Sequence, residues 1–181
     1  SIDELGPRTL SIFPSQRKRG GISSGFNPLV IKDAEALAKN NEHNWLIAPA
    51  MSGNRQVKFL NSNVSGEING YLPVNFKVRG FDIGLGRLFT EKENLGRKKV
   101  IVLGSKVPGE LNTTARQILD KEIFVAGTAY KVVGILKEEG SNGWQNPDDD
   151  FYVPLLTASQ RILGTERLGW ICLLYTSPSP R

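Results

Sequence analysis

The stretch KEIFVAGTAYKVVGILKE, residues 121–138, does most to limit what this chain can fold into. Ile123 and Val125 on one side and Val132 and Val133 on the other flank Gly127-Thr128, which reads as a β-hairpin. A second hairpin precedes it. RQVKFL, the turn NSN and VSGEINGY set Val57 and Phe59 against Val64 and Ile68. Strands joined by hairpins, without regular helical crossovers, predict an α+β domain and argue against a doubly wound parallel sheet.

The remaining segments fit that class. TLSIF alternates and reads as a strand stopped by Pro14, while residues 15–26, SQRKRGGISSGF, have no apolar period and read as a Ser/Gly/Arg-rich loop. Asn27-Pro28 predicts a helix with Asn as N-cap and Pro at the first helical position. Val30, Ala34, Leu37 and Ala38 would form its apolar stripe, and Asn40-Asn41 its end. WLIAPAM reads as a short strand. KKVIVLGS carries four consecutive apolar residues, Val100–Leu103, as a strand buried on both faces does. SKVPGEL predicts a short helix capped by Ser105. DFYVPLLT reads as a strand, and Thr157 to Gln160 as a capping box leading into ASQRIL, closed by Gly164. The sum is one clear helix, a few of one or two turns, and about eight short strands.

At 181 residues and 39% hydrophobic, the chain suffices for one domain or two small subdomains. Its net charge of +5 is scattered among both signs, which gives no argument for nucleic acid as a partner. No apolar run has the roughly 18 to 20 residues that cross a bilayer, and the first residues do not read as a signal peptide. One cysteine, Cys172, excludes an internal disulfide and a cysteine zinc site. One histidine, His43, in the polar stretch KNNEHNW, reads as a solvated loop residue and makes a Ser-His-Asp triad hard to build.

Four features invite a chemical reading. Residues 70–93, GYLPVNFKVRGFDIGLGRLFTEKE, pack Gly80, Gly84 and Gly86 among basic residues, as a phosphate loop would. The spacing fits neither a dinucleotide fingerprint nor a P-loop, and no long helix follows, so the glycines read as turn residues. Thr90 and Glu93 predict a capped single turn. Asp148, Asp149 and Asp150, with Glu138 and Glu139 upstream, could hold calcium but lack EF-hand spacing; they read as a solvated turn. Arg17, Lys18 and Arg19 form the densest basic cluster, and Trp144 lies in the loop GSNGWQNPD. These four are the candidate partner-binding residues. No catalytic, metal or cofactor residues are assigned.

Taken in order, LGPRTLSIFPS, LVIKDAEALAK, IAPAMSGNRQVKF, residues 70–93, KVIVLGSKV, KEIFVAGTAYKVVGILKEEG and DFYVPLLTASQRILG resemble the extracytoplasmic core domain of MacB-type ABC transporter permeases, relatives of FtsX and LolC. The resemblance runs over about residues 5–170. It implies a porter-like α/β subdomain with an inserted, mostly-β, sabre-like lobe. Residues 1–83 and 151–170 would form the former and 84–150 the latter, with residues 70–93 bridging the two. It implies no enzymatic activity in this part, the ATPase lying in a separate domain or chain. It also implies a periplasmic position between two membrane helices, a homodimer, and work with a MacA-like adaptor, an outer-membrane channel and an ATP-binding subunit.

The chain departs from the family pattern at Pro7-Arg8, at Asn112, where Phe is frequent, and at Asp120, where Gly is usual. The end, RLGWICLLYTSPSPR, reads as an appended tail from about Trp170 or Ile171, which would leave the porter-like half incomplete and the chain marginally stable. The rival readings are a small metal-dependent hydrolase using Asp148, Asp149 and Asp150, and a basic binding module using Arg17, Lys18 and Arg19.

Overall fold

The computed structural model describes residues 9–19, 22–42, 44–140 and 146–175, with backbone alone at 15–19 and 22–27. Its frame is a long hairpin. β4 (Trp45–Phe59) and β5 (Ser62–Tyr71) pair antiparallel from Ala50↔Tyr71 to Phe59↔Ser62. WLIAPAM and RQVKF are thus one continuous strand. Its run Ala48–Met51 is buried on both faces and its second half alternates, so the sequence carries two patterns along a single element.

From this hairpin a ring of strands closes. β5 pairs parallel with β10 (Phe151–Pro154), and β10 pairs antiparallel with β7 (Val100–Leu103). β7 pairs parallel with β9 (Thr128–Leu136), β9 antiparallel with β8 (Glu122–Val125), and β8 returns to β4 through Val57↔Val125 and Lys58↔Phe124. Closure removes the free edges that a small sheet would otherwise expose. Period two then sorts the side chains. Val57, Ile101, Leu103, Ile123, Val125, Phe151 and Val153 belong to one buried cluster, plugged by Val107 of α4 (Val107–Glu110) and Ile118 of α5 (Ala115–Ile118). Val100, Val102, Val133 and Tyr152 face the other way, into a second cluster with Phe76 and Phe89. The expectation of a strand buried on both faces at Val100–Leu103 is met, because each face has its own core.

Outside the ring, β6 (Ile83–Gly86) pairs with β9. β11 (Trp170–Tyr175) lies between β1 (Thr9–Ile12) and the first half of β4, antiparallel to both. Residues 170–175 therefore do not stand apart from the fold as an appended tail would: Ile171 and Cys172 are buried. Residues 15–19 and 22–26 are not a loop either. β2 (Ser15–Arg19) and β3 (Ile22–Asn27) form a separate two-stranded hairpin.

Several helix ends differ from expectation. α1 (Ile31–Lys39) begins after Val30, whose N–H donates to the Asp33 carboxylate at 2.8 Å, so Asn27-Pro28 does not start it. Asn40 ends it as expected, but of the stripe only Ala34 is buried and Leu37 is exposed. Ser105 caps nothing. α4 starts from Lys106, and the Ser105 hydroxyl is buried without a partner among the described residues. Thr157 sits inside a helical run that begins with α6 (Leu155–Thr157) and continues as a π-helical segment (Ala158–Leu163). Its hydroxyl donates to the Lys98 carbonyl at 2.8 Å and caps no helix. Gly164 closes that run at φ 61°, as expected.

Candidate functional site

Residues 70–93 hold more structure than a chain of turns. α2 (Pro73–Arg79) lies there, seven residues long, with Pro73 in its first turn and Gly80 ending it at φ 69°. Asn75 fixes it twice. Its side-chain oxygen accepts the Leu72 N–H at 2.8 Å, and its amide donates to the Pro49 carbonyl of β4 at 3.1 Å. α3 (Glu91–Leu95) follows, and Thr90 and Glu93 cap each other as the sequence predicts. Arg87 braces this turn through Glu93 at 2.7 Å. That pairing draws the Glu93 carboxyl below its ordinary range. Gly80 and Gly86 have positive φ; Gly84 does not, being packed in β6 against backbone of β9. The segment anchors the second core cluster: Phe76 meets both Tyr71 and Phe89 edge to face, with ring centroids 5.4 Å apart in each pair.

Against this segment opens a polar cleft of about 360 Å³, lined in part by Ser52, Glu67, Asn69, Arg79, Asp150 and Trp170. Glu67, Asn69 and Tyr71 alternate onto one face of β5, and Ser52 stands opposite Asn69 across the pair. Arg79 donates to the Tyr71 hydroxyl at 3.0 Å and lies over the Phe81 ring. Burial pushes Tyr71 up to about 12 and Asp150 up to about 6; for Asp150 the Asn69 amide, at 3.3 Å, pulls the other way.

The acidic run is not one solvated turn. Asp148 is buried, and its two oxygens accept the backbone N–H groups of Glu139 at 2.8 Å and Gly140 at 3.0 Å. Its carboxylate is thereby spent on holding the chain that leaves β9. Glu110 is pushed up to about 7, first by burial and next by the Asp149 carboxyl beside it. Among the described residues no three acidic, histidine or cysteine side chains gather as a metal site.

Of the candidate contact residues, Arg17, Lys18 and Arg19 fall on β2, with Lys18 opposite Ser23 and Arg19 opposite Ile22. Trp144 and His43 lie outside the described residues. The structure adds a surface that sequence reasoning missed. At the far end of the ring, the β4–β5 and β8–β9 turns stand side by side over a groove of about 570 Å³, lined by Lys58, Phe59, Leu60, Glu122 and Phe124 among others. The available signal was Leu60, an apolar residue at the mouth of the NSN turn.

Residues 1–179 match the sequence family described as the MacB-like periplasmic core domain. The chain belongs to that family. It is a domain of an ABC transporter permease. The macrolide export ATP-binding/permease protein MacB of Bdellovibrio bacteriovorus is 30% identical over 166 residues, covering 90% of this chain and 25% of that protein. The MacB protein of Chlorobaculum tepidum is also 30% identical, over the same shares. The chain thus spans about a quarter of the length of these relatives. Among solved structures, the periplasmic region of MacB from Actinobacillus actinomycetemcomitans superposes with a TM-score of 0.75 at 22% identity, over 99% of this chain and 79% of that one. The extracellular domain of the YknZ transporter from Gram-positive bacteria gives 0.68 at 19%, over 83% and 74%. At those identities the likeness is one of fold.

Proposed function

We propose that this domain stands on the outer side of the cytoplasmic membrane and carries motion, driven by ATP hydrolysis elsewhere in the transporter, to a partner or to the exported molecule. The match over residues 1–179 carries this reading. A physical feature supports it. β4 is one unbroken strand of 15 residues that pairs with β11 at one end and with β8 at the other, so displacement at one end reaches the far end through a stiff element. In this reading residues 1–83 and 151–170 form the porter-like part and 84–150 the inserted lobe. The whole protein works as a homodimer with a MacA-like adaptor, an outer-membrane channel and an ATP-binding unit. Arg17, Lys18, Arg19 and Trp144 are proposed contacts to those partners.

The test is an in-frame replacement of residues 9–175 by a short flexible linker in the full-length permease. ATP hydrolysis is expected to remain measurable while export stops. Undiminished export from the shortened transporter would overturn the reading.

A further inference from the structure

The end of the ring combines two costs that folding alone does not explain. Leu60 is 76% exposed, so it gains little from burial, and it holds φ 52°. That region is unfavourable for a side-chain-bearing residue and is better filled by Gly or Asn. Beside it Phe124 is 44% exposed. Neither is on a loose loop. Lys58 pairs with Phe124 across β4 and β8, and the Ala126 N–H donates to the Gln56 carbonyl at 2.9 Å, so the two turns are fastened to each other. On the other side the Asn112 amide donates to the Ser62 hydroxyl at 2.9 Å. The result is a braced groove with Leu60, Phe59 and Phe124 along it and charges of both signs, Lys58 and Glu122, among its lining.

We infer that the Leu60–Phe124 groove is a docking surface for a loop or hairpin end of a partner protein, one that presents a single aliphatic or aromatic side chain flanked by an acidic and a basic residue. The charges decide the flanks: the acidic residue meets Lys58 and the basic one Glu122. The size decides the kind of occupant. A stable two-fold dimer needs about 20–30 residues a side, while eight residues line this groove, which suits a short protruding segment. A pre-formed groove lowers the ordering cost of such contacts. The inference rests on the proposed function in that it takes the partner to be a protein of the transport assembly.

The test uses the 181-residue chain and an eight-residue peptide with one central Leu between Glu and Lys, against a control with Ser at the centre. Side-chain NMR signals of Leu60 and Phe124 are expected to shift saturably with the first peptide, and at least tenfold more weakly with the control. Leu60→Asn should weaken binding at least tenfold with an unchanged or higher Tm, because Asn suits the backbone there; Phe124→Thr provides a second, independent loss. Equal binding of both peptides, full binding by L60N, or self-association through the groove in sedimentation would each overturn the proposal. In the full-length transporter, L60N is expected to reduce export. Export unchanged by L60N but abolished by removing residues 9–175 would sink the groove and leave the proposed function standing. Export that survives both would sink the two together.

Discussion

Asp148 holds Glu139 by a 2.8 Å hydrogen bond from the Glu139 backbone N–H to its buried carboxylate, and takes the next amide, that of Gly140, at 3.0 Å with its other oxygen. An acidic run that suggests a cation site is here an anchor for backbone. Removing the acceptor takes from two half-buried or exposed amides the carboxylate that holds them. Asp148→Ala is therefore expected to cost about 2–4 kcal/mol in chemical denaturation, and Asp148→Asn, which keeps one acceptor oxygen, about half of that. Calcium at millimolar concentration should leave the Tm of the unmodified chain unchanged. A calcium-dependent rise would return the metal-site reading.

Two carboxyls give the stability a pH dependence with a definite sign. Asp150 rises from 3.8 to about 6, through burial, with Glu67 and Asp149 adding to the shift and Asn69 and Arg79 opposing it. Glu110 rises from 4.5 to about 7, through burial and Asp149, with Lys106 opposing. The folded chain thus binds these protons more readily than the unfolded chain. Their contribution is favourable below about pH 4, where both states are protonated alike, and is lost as pH rises toward 7. Glu93 works the other way, its contribution being lost as pH falls. The double variant Asp150→Asn with Glu110→Gln isolates the first pair. It is expected to raise the denaturation midpoint at pH 7.5 relative to the parent and to narrow the gap at pH 5; an equal shift at both pH values would refute the assignment.

Close approaches at glycine set a third expectation. A Cβ on Gly66 would come within 2.6 Å of the Phe151 ring, and one on Gly70 within 2.6 Å of the Ala158 Cβ and 2.9 Å of the Met51 side chain. Phe151 and Ala158 are both fully buried, so neither has room to withdraw. Gly66→Ala and Gly70→Ala should each cost roughly 1–3 kcal/mol by overpacking. Gly53→Ala meets the flexible end of Leu163 at 2.7 Å and should cost clearly less. Urea midpoints of the three variants decide it; equal losses would show that the contacts are not what matters.

The sequence made the class of fold legible because its signals are local: the alternation around Gly127, the four apolar residues of β7, and the reciprocal cap of Thr90 and Glu93 each depend on a few neighbouring residues. What stayed hidden is non-local. The helix at Pro73–Arg79 has too few residues for a visible period, and its stability comes from Asn75 reaching Pro49 and Phe76 entering an aromatic cluster. Asp148 looked solvated because its partners, Glu139 and Gly140, are backbone groups that carry no side-chain signature. The cleft draws on β4, β5, α2 and β10, and the apolar groove on two separate hairpins, so neither has a contiguous motif. Leu60 was in plain view, but only its positive φ and its exposure mark it as unusual.

The last expectation concerns the strand that sequence reading set apart. Cys172 is the chain's one cysteine and sits in β11, paired with Ala48 on one side and Ser11 on the other, 6% exposed. It packs with Ala48 and Val78, so α2 covers it. A small disulfide reagent reaches such a thiol only when β11 detaches or the domain opens. Native-state modification should run at least a hundredfold slower than in denaturant. Val78→Ala thins the cover over the sulfur and should speed it without unfolding the ring, where Tyr130 and Ile135 belong to a different cluster. If the thiol instead reacts at its denatured rate while the rest of the chain melts cooperatively, β11 is not docked in solution. β1 would then have lost its pairing partner and β4 would expose its first half as an open edge.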